Sequence, residues 1–215
     1  MSRRYLTADD SAIVLIDFAD GFGWQRTHNP ADHVSNVVAL AKMAQVFGIP
    51  LVVTGPDDYG PPTPQGRTYP ALRKVLGDHL VIDRPSAPFD AFEEPAFRSA
   101  VEATGRRRLV MAGLMTEGCL LQTALTAVAD GYEVVAVVDA CAGETREGHD
   151  TAIQRMVQAG VVPATWYSLA AEYQRKWTNQ DTVAGFTQLI GDHSAPTAMH
   201  FAVIGSQHAV PAATA

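Results

Sequence analysis

Six short runs of consecutive apolar residues, each followed by a stretch with helical spacing, constrain this chain more than any other feature of it. Such runs lack the apolar–polar alternation of a strand with one wet face, so they read as strands buried on both faces. They fall at 11–17, 51–54, 80–83, 108–112, 133–138 and 161–164. The first helix is opened by Asn29 as N-cap and Pro30 as first helical residue, with Val34, Val37, Val38 and Ala41 on one face. Further helices are predicted at 70–76, 95–104, 117–130 and 146–159, with two more near 168–176 and 180–190. Strand and helix in steady alternation imply right-handed crossovers and a parallel sheet covered on both faces, which is a doubly wound α/β fold.

A chain of 215 residues suits one domain, placed at 1–192. The remainder, 193–215, is rich in Ala, Pro, Thr and His without clear helical spacing, and reads as a tail that is disordered or packed on a neighbouring subunit. Lys and Arg number 16 against 23 Asp and Glu, a net charge of −7, which argues against a nucleic-acid partner needing a basic face. No window approaches the roughly 18 apolar residues of a membrane span, and no signal-peptide pattern follows Met1, so a soluble cytoplasmic protein is expected. The two cysteines, Cys119 and Cys141, are too few for a disulfide framework and form no C-x-x-C pair.

Open parallel sheets place their active crevice outside the carboxyl ends of the strands, where the strand order reverses. Asp17 ends the first strand, Arg84 follows the third in VIDRPSAPFDAF, and Cys119 follows the fourth in AGLMTEGC. If the first and fourth strands are neighbours, the three side chains converge. Thr116 is the expected cap of the helix that begins beside Cys119, where the helix dipole and free amides favour a thiolate. Gly118 leaves room for a substrate carbonyl. Asp17 can accept the thiol proton, and Arg84, which keeps its charge at any working pH, can act only electrostatically. The expected pocket walls are Phe18, Phe22, Trp24, Phe89, Phe92 and Trp166, each in a loop or at a strand end on the crevice side, although core or subunit packing is an equal reading for most of them.

The ordered set of Asp17, a cation after the third strand, AGLMTEGC, VVDACAG at 137–143 and His149 resembles the isochorismatase-like cysteine hydrolases over about residues 9–190. DRPSAPFDAF and ATWYSLAAEYQRKW resemble the YcaC-like branch of that family more closely. The resemblance implies a three-layer α/β/α, Rossmann-like fold with a six-stranded parallel sheet, and an Asp17, Arg84 and Cys119 triad. It also implies a cis peptide at Leu114–Met115, an oxyanion hole from the amides of Met115 and Cys119, and a homo-oligomer, tetramer or octamer. Arg84 stands where most members carry Lys, a departure shared with the YcaC-like branch. Metal-dependent relatives hold zinc with an Asp-x-His-x-His cluster after the second strand; the matching stretch here, 53–59, has carboxylates and no histidine, so neither metal nor cofactor is expected. Relatives that hydrolyse isochorismate lack the cysteine, so Cys119 points to attack on the carbon–nitrogen bond of a small-molecule amide through an acyl-enzyme.

Other readings use the same residues. Cys141, Asp139 and His149 are expected to be structural, the last through a supporting helix contact. A catalytically silent oligomeric scaffold or small-molecule binding protein would bury an inert Cys119, and a thiol redox protein would oxidise it reversibly without turning over amides. A nucleotide-binding fold is weakest, because no G-x-G-x-x-G follows the first strand.

Overall fold

The computed structural model describes residues 5–22, 30–61 and 63–208. Its core is one six-stranded sheet in the order β3-β2-β1-β4-β5-β6, with every neighbouring pair parallel. The strands are β1 (Ser11–Ile16), β2 (Leu51–Thr54), β3 (Val81–Ile82), β4 (Arg108–Gly113), β5 (Glu133–Val137) and β6 (Val162–Ala164). All six residues of β1 and the last five of β4 are buried, as continuous apolar runs require at the middle of a covered sheet. The edge strand β6 is short and mostly exposed and contains Pro163, a residue that cannot donate to a ladder and is tolerated at a sheet edge.

The helices are α1 (Pro30–Phe47), α2 (Pro70–Leu76), α3 (Pro95–Ala103), α4 (Leu121–Ala129), α5 (Arg146–Gln158), α6 (Trp166–Gln174), α7 (Val183–His193) and α8 (Ala195–His208). From β1 the chain steps outward to β2 and β3, then crosses back to β4 and continues the other way. Right-handed connections in opposite directions put their helices on opposite faces. Accordingly α1 packs with α2, α6 and α7 on one side, and α4 packs with α5 on the other. The reversal lies between β1 and β4, which are hydrogen-bonded neighbours from Ser11↔Arg108 to Ile16↔Gly113.

Three expectations change. The third strand shrinks to Val81–Ile82. The helix at the seam begins properly only at Leu121, after a π-helical turn over Thr116–Leu120. Much of the expected featureless tail is helical: α8 packs on α7, with Phe201 against the core and its ring near Gly191. Asn29, the expected cap of α1, lies outside the described residues, but Pro30 is the first residue of that helix. Among the described residues no helix is long and apolar enough to cross a membrane.

Candidate active site

Local bonds at the ends of the three strands fix where their next residues go. The Asp17 amide donates to Thr54 O at 2.8 Å, and Thr54 Oγ1 donates to Ile82 O at 2.8 Å, so β1, β2 and β3 are tied together at their carboxyl ends. Asp17 has φ 59°, a left-handed conformation that Asp tolerates better than most side chains, and it turns the chain sharply out of β1. On the other side Leu114 N–H donates to Ile16 O at 3.0 Å. Gly113 allows that approach, since a Cβ there would lie 2.9 Å from Ile16 Cβ.

This frame brings Asp17, Arg84 and Cys119 together from positions far apart in the chain. One terminal nitrogen of Arg84, Nη2, pairs with Asp17 Oδ2 and lies 4.0 Å from Cys119 Sγ. The other, Nη1, donates to Pro88 O at 2.5 Å, which ties the guanidinium to the loop after β3. Both charged side chains are buried, with side-chain exposures of 7% for Arg84 and 6% for Asp17. A buried ion pair needs this mutual compensation, because either charge alone would be heavily desolvated. Burial works against the charge of Arg84, yet Asp17 beside it raises the guanidinium pKa overall. Burial likewise pushes the Cys119 thiol up to about 12, and the Asp17 carboxylate, which accepts its hydrogen bond, adds to that rise against the opposing pull of Arg84. Burial and the neighbouring carboxylate thus favour the thiol form of Cys119 over the thiolate expected from a position at a helix start.

The turn carrying Cys119 also departs from expectation. Thr116 does not cap it: its amide donates to Ala142 O at 3.0 Å, and its buried hydroxyl bonds to His149 Nδ1 at 2.8 Å. Gly118, at φ −102° and ψ −110°, leaves helical geometry just before Cys119. Glu117 reaches the other way, its Oε1 accepting the Glu144 amide at 2.8 Å, and its carboxylate occupies the space where a Cβ on Gly143 or Gly148 would be. The cysteine turn is thus latched to the start of α5 by Thr116 and Glu117. The motif around Cys119 does not by itself give Glu117 a role; the two glycines opposite it are the signal that could have done so. The Leu114–Met115 peptide is cis, as the resemblance implied.

Asp17, Arg84, Met115 and Cys119 all line one open cavity of about 410 Å³. Phe22 and Phe89 form part of its wall, as expected. The structure takes three other aromatic candidates away from it. Phe18 is buried against His33 and Tyr69, Phe92 packs on Phe97 and Tyr132, and Trp166 lies against Tyr167 and His193. Trp24 lies outside the described residues. Thr63, Gln65 and Asp83 also line the cavity; Asp83 opens the DRPSAPFDAF segment but is not among the expected site residues, and Thr63 and Gln65 belong to no motif.

Asp139 accepts the Trp166 amide at 3.0 Å, a structural role for a carboxylate at the end of β5. The 53–59 stretch does not fit a metal centre. Asp57 accepts the Tyr59 amide at 2.9 Å, and Asp58 is engaged by the Thr68 amide at 2.7 Å and by Arg73. Among the described residues no three His, Cys, Asp or Glu side chains are grouped as a metal ion requires.

Known proteins share this architecture and its sequence. The family model for the isochorismatase domain matches residues 11–168. The probable hydrolase YcaC of Escherichia coli is 32% identical over 196 residues, 90% of this chain and 91% of that protein. The structure of the Escherichia coli YcaC gene product, an octameric hydrolase of unknown specificity, superposes with a TM-score of 0.88 at 30% identity, over 96% of this chain and 99% of its own. YcaC from Pseudomonas aeruginosa, solved with hexane-2,5-diol and covalent acrylamide, gives a TM-score of 0.87 at 29% identity, over 95% and 99% of the two chains.

Proposed function

The chain belongs to the isochorismatase domain family, and on that premise we propose that it is a cofactor-free hydrolase that cleaves a small carbon–nitrogen amide bond through an acyl-enzyme on Cys119. The observation that carries this reading is the single Arg84 nitrogen shared between the Asp17 carboxylate and the Cys119 sulfur on the wall of the cavity.

Burial, which favours the thiol form of Cys119, fits one order of events. A sulfur that rests protonated becomes a nucleophile only as it loses its proton, so Asp17 takes that proton while sulfur bonds to the substrate carbonyl carbon. Negative charge moves to the carbonyl oxygen, which the amides of Met115 and Cys119 receive. Collapse of the tetrahedral species breaks the carbon–nitrogen bond, and the proton held by Asp17 leaves with the amine. Water then attacks the thioester, giving its proton to Asp17, and the acid departs as the Cys119 thiol is re-formed. Arg84 stays protonated throughout; it holds the Asp17 carboxylate in place by pairing with it and offsets negative charge at sulfur during attack.

The covalent acrylamide on the Pseudomonas aeruginosa relative supports a reactive nucleophile in proteins of this shape. In this chain the candidate nucleophile is Cys119. We further propose one domain, which α8 extends past the expected boundary at 192, and assembly into a homo-oligomer, as the octameric Escherichia coli relative suggests; light scattering after gel filtration reads the assembly directly. The test of the chemistry is a panel of small amides followed by amine release, with acid-quenched samples analysed by mass spectrometry. Release together with an acyl mass on the Cys119 peptide is expected. Inert amides and an unmodified Cys119 would leave the scaffold reading in its place.

A further inference from the structure

The charges on the cavity wall bear on what can enter it. Among the described residues that line it, the acidic and basic side chains are Asp17, Asp83 and Arg84. Arg84 is committed: one terminal nitrogen pairs with Asp17 and the other bonds to Pro88 O. Its charge is therefore already balanced by the neighbouring carboxylate and does not offer a free anion-binding fork. Asp83 is different. It is exposed and has no ion-pair or hydrogen-bonding partner among the described residues. The other polar lining side chains, Thr63 and Gln65, are neutral, and the rest of the wall is largely apolar, with Phe22, Pro56 and Phe89 among it. A concave site focuses the field of an unbalanced charge, so the described wall, with two carboxylates against one guanidinium, opposes anions and draws cations.

We propose that this site selects against negatively charged molecules and accepts small amides that are neutral or cationic, with Asp83 as the residue that sets the preference. This rests on the reading of Cys119 as the nucleophile above and adds the substrate class to it. Carboxylate-bearing amides are rejected before chemistry, because the one cation among the described wall residues is held by Asp17. A substrate whose free end bears an ammonium group gains from Asp83 without needing any further ion pair.

The test needs no knowledge of the natural substrate. Cys119 is modified with three methanethiosulfonates of similar size, bearing aminoethyl, neutral alkyl or sulfonatoethyl groups, and each rate is divided by the rate with a free thiol in solution. The cation-to-anion ratio at Cys119 should exceed the solution ratio by roughly fivefold to tenfold at low salt. Asp83→Asn should return most of that excess to unity once the rate with each charged reagent is divided by the rate with the neutral one. A ratio equal to that of the free thiol, or one that Asp83→Asn does not alter, overturns the charge selection and leaves the nucleophile standing. A Cys119 closed to all three reagents overturns both readings.

Discussion

Cys119 and Cys141 follow neighbouring strands, β4 and β5, at the same end of the sheet, and burial pushes both thiols up to about 12. By acidity alone they are indistinguishable. Their surroundings are not. Cys141 is wholly buried, and its Sγ donates to Val137 O at 3.0 Å, so its proton is bound to an acceptor that cannot take it. Cys119 is partly exposed, opens on a cavity, and has a carboxylate and a guanidinium beside it. What separates a packing thiol from a candidate nucleophile here is the presence of a base that can accept the proton at the moment of attack. A low resting pKa is not required.

Deleting each sulfur gives the largest contrast. Cys119→Ala should lower amide turnover by on the order of 10^4 with little change in melting temperature, since covalent catalysis has no substitute in the site. A turnover loss below tenfold would mean that the two thiols do not differ as argued. Asp17→Asn should come next, reducing turnover by about 10^3 through loss of the base, yet it should make Cys119 easier to alkylate. The carboxylate raises the thiol pKa, so its removal moves the rise of the alkylation rate with pH to lower pH. Iodoacetamide rates across pH 7 to about 11 read both signs together.

Arg84→Gln inverts that second effect. Arg84 lowers the thiol pKa, so without it alkylation should slow, and the stranded Asp17 carboxylate should reduce stability by about 3 to 5 kcal/mol, measurable by urea unfolding. Equal alkylation in the wild type and the Arg84 variant would detach the guanidinium from the sulfur. The smallest effect is expected at the other cysteine. Cys141→Ala should leave turnover intact and remove about 1 kcal/mol of stability with its packing and its bond to Val137. The Cys141 thiol is held near 12 when folded, against roughly 8.5 in an unfolded chain, so its stabilising contribution is full below the lower value and is lost as pH rises toward the higher. The variant should therefore show a flatter alkaline limb in stability against pH.

The contrast between these cysteines is partly legible in the amino-acid sequence. Continuous apolar runs locate all six strands, and the rule for crevices in parallel sheets sets Asp17, Arg84 and Cys119 at one end of the sheet, because strand ends are fixed by topology. The aromatic walls are less readable. Phe92 and Phe89 are three residues apart in one loop, but one packs on Phe97 and the other lines the cavity, and no periodicity decides which way a loop side chain turns. Thr116 reads as a cap because capping is a local pattern, whereas its real partner, His149, is 33 residues away and reaches it only through the packing of α5 on the cysteine turn. The helicity of α8 is hidden for a related reason. Its sequence has little amphipathic contrast, and its contact with α7 through Phe201 is a property of the folded chain.

The wedge of Glu117 between Gly143 and Gly148 limits how this sequence can change through descent. A side chain at Gly148 would place its Cβ 2.6 Å from Glu117 Oε1. An alanine there requires the Glu117 carboxylate to move away from the Glu144 amide it accepts, and its Cβ would still lie 3.2 Å from Thr145 Oγ1. After Gly148 has gained a side chain, a glutamate at position 117 could no longer hold its carboxylate where it now sits. Change at position 117 is therefore coupled to change at position 148, while Gly143 is also crowded by the backbone at His149 whatever stands at 117. An unmatched pair assembled by recombination between two lineages that differ there would misplace the cysteine turn even though every strand of the sheet remained intact.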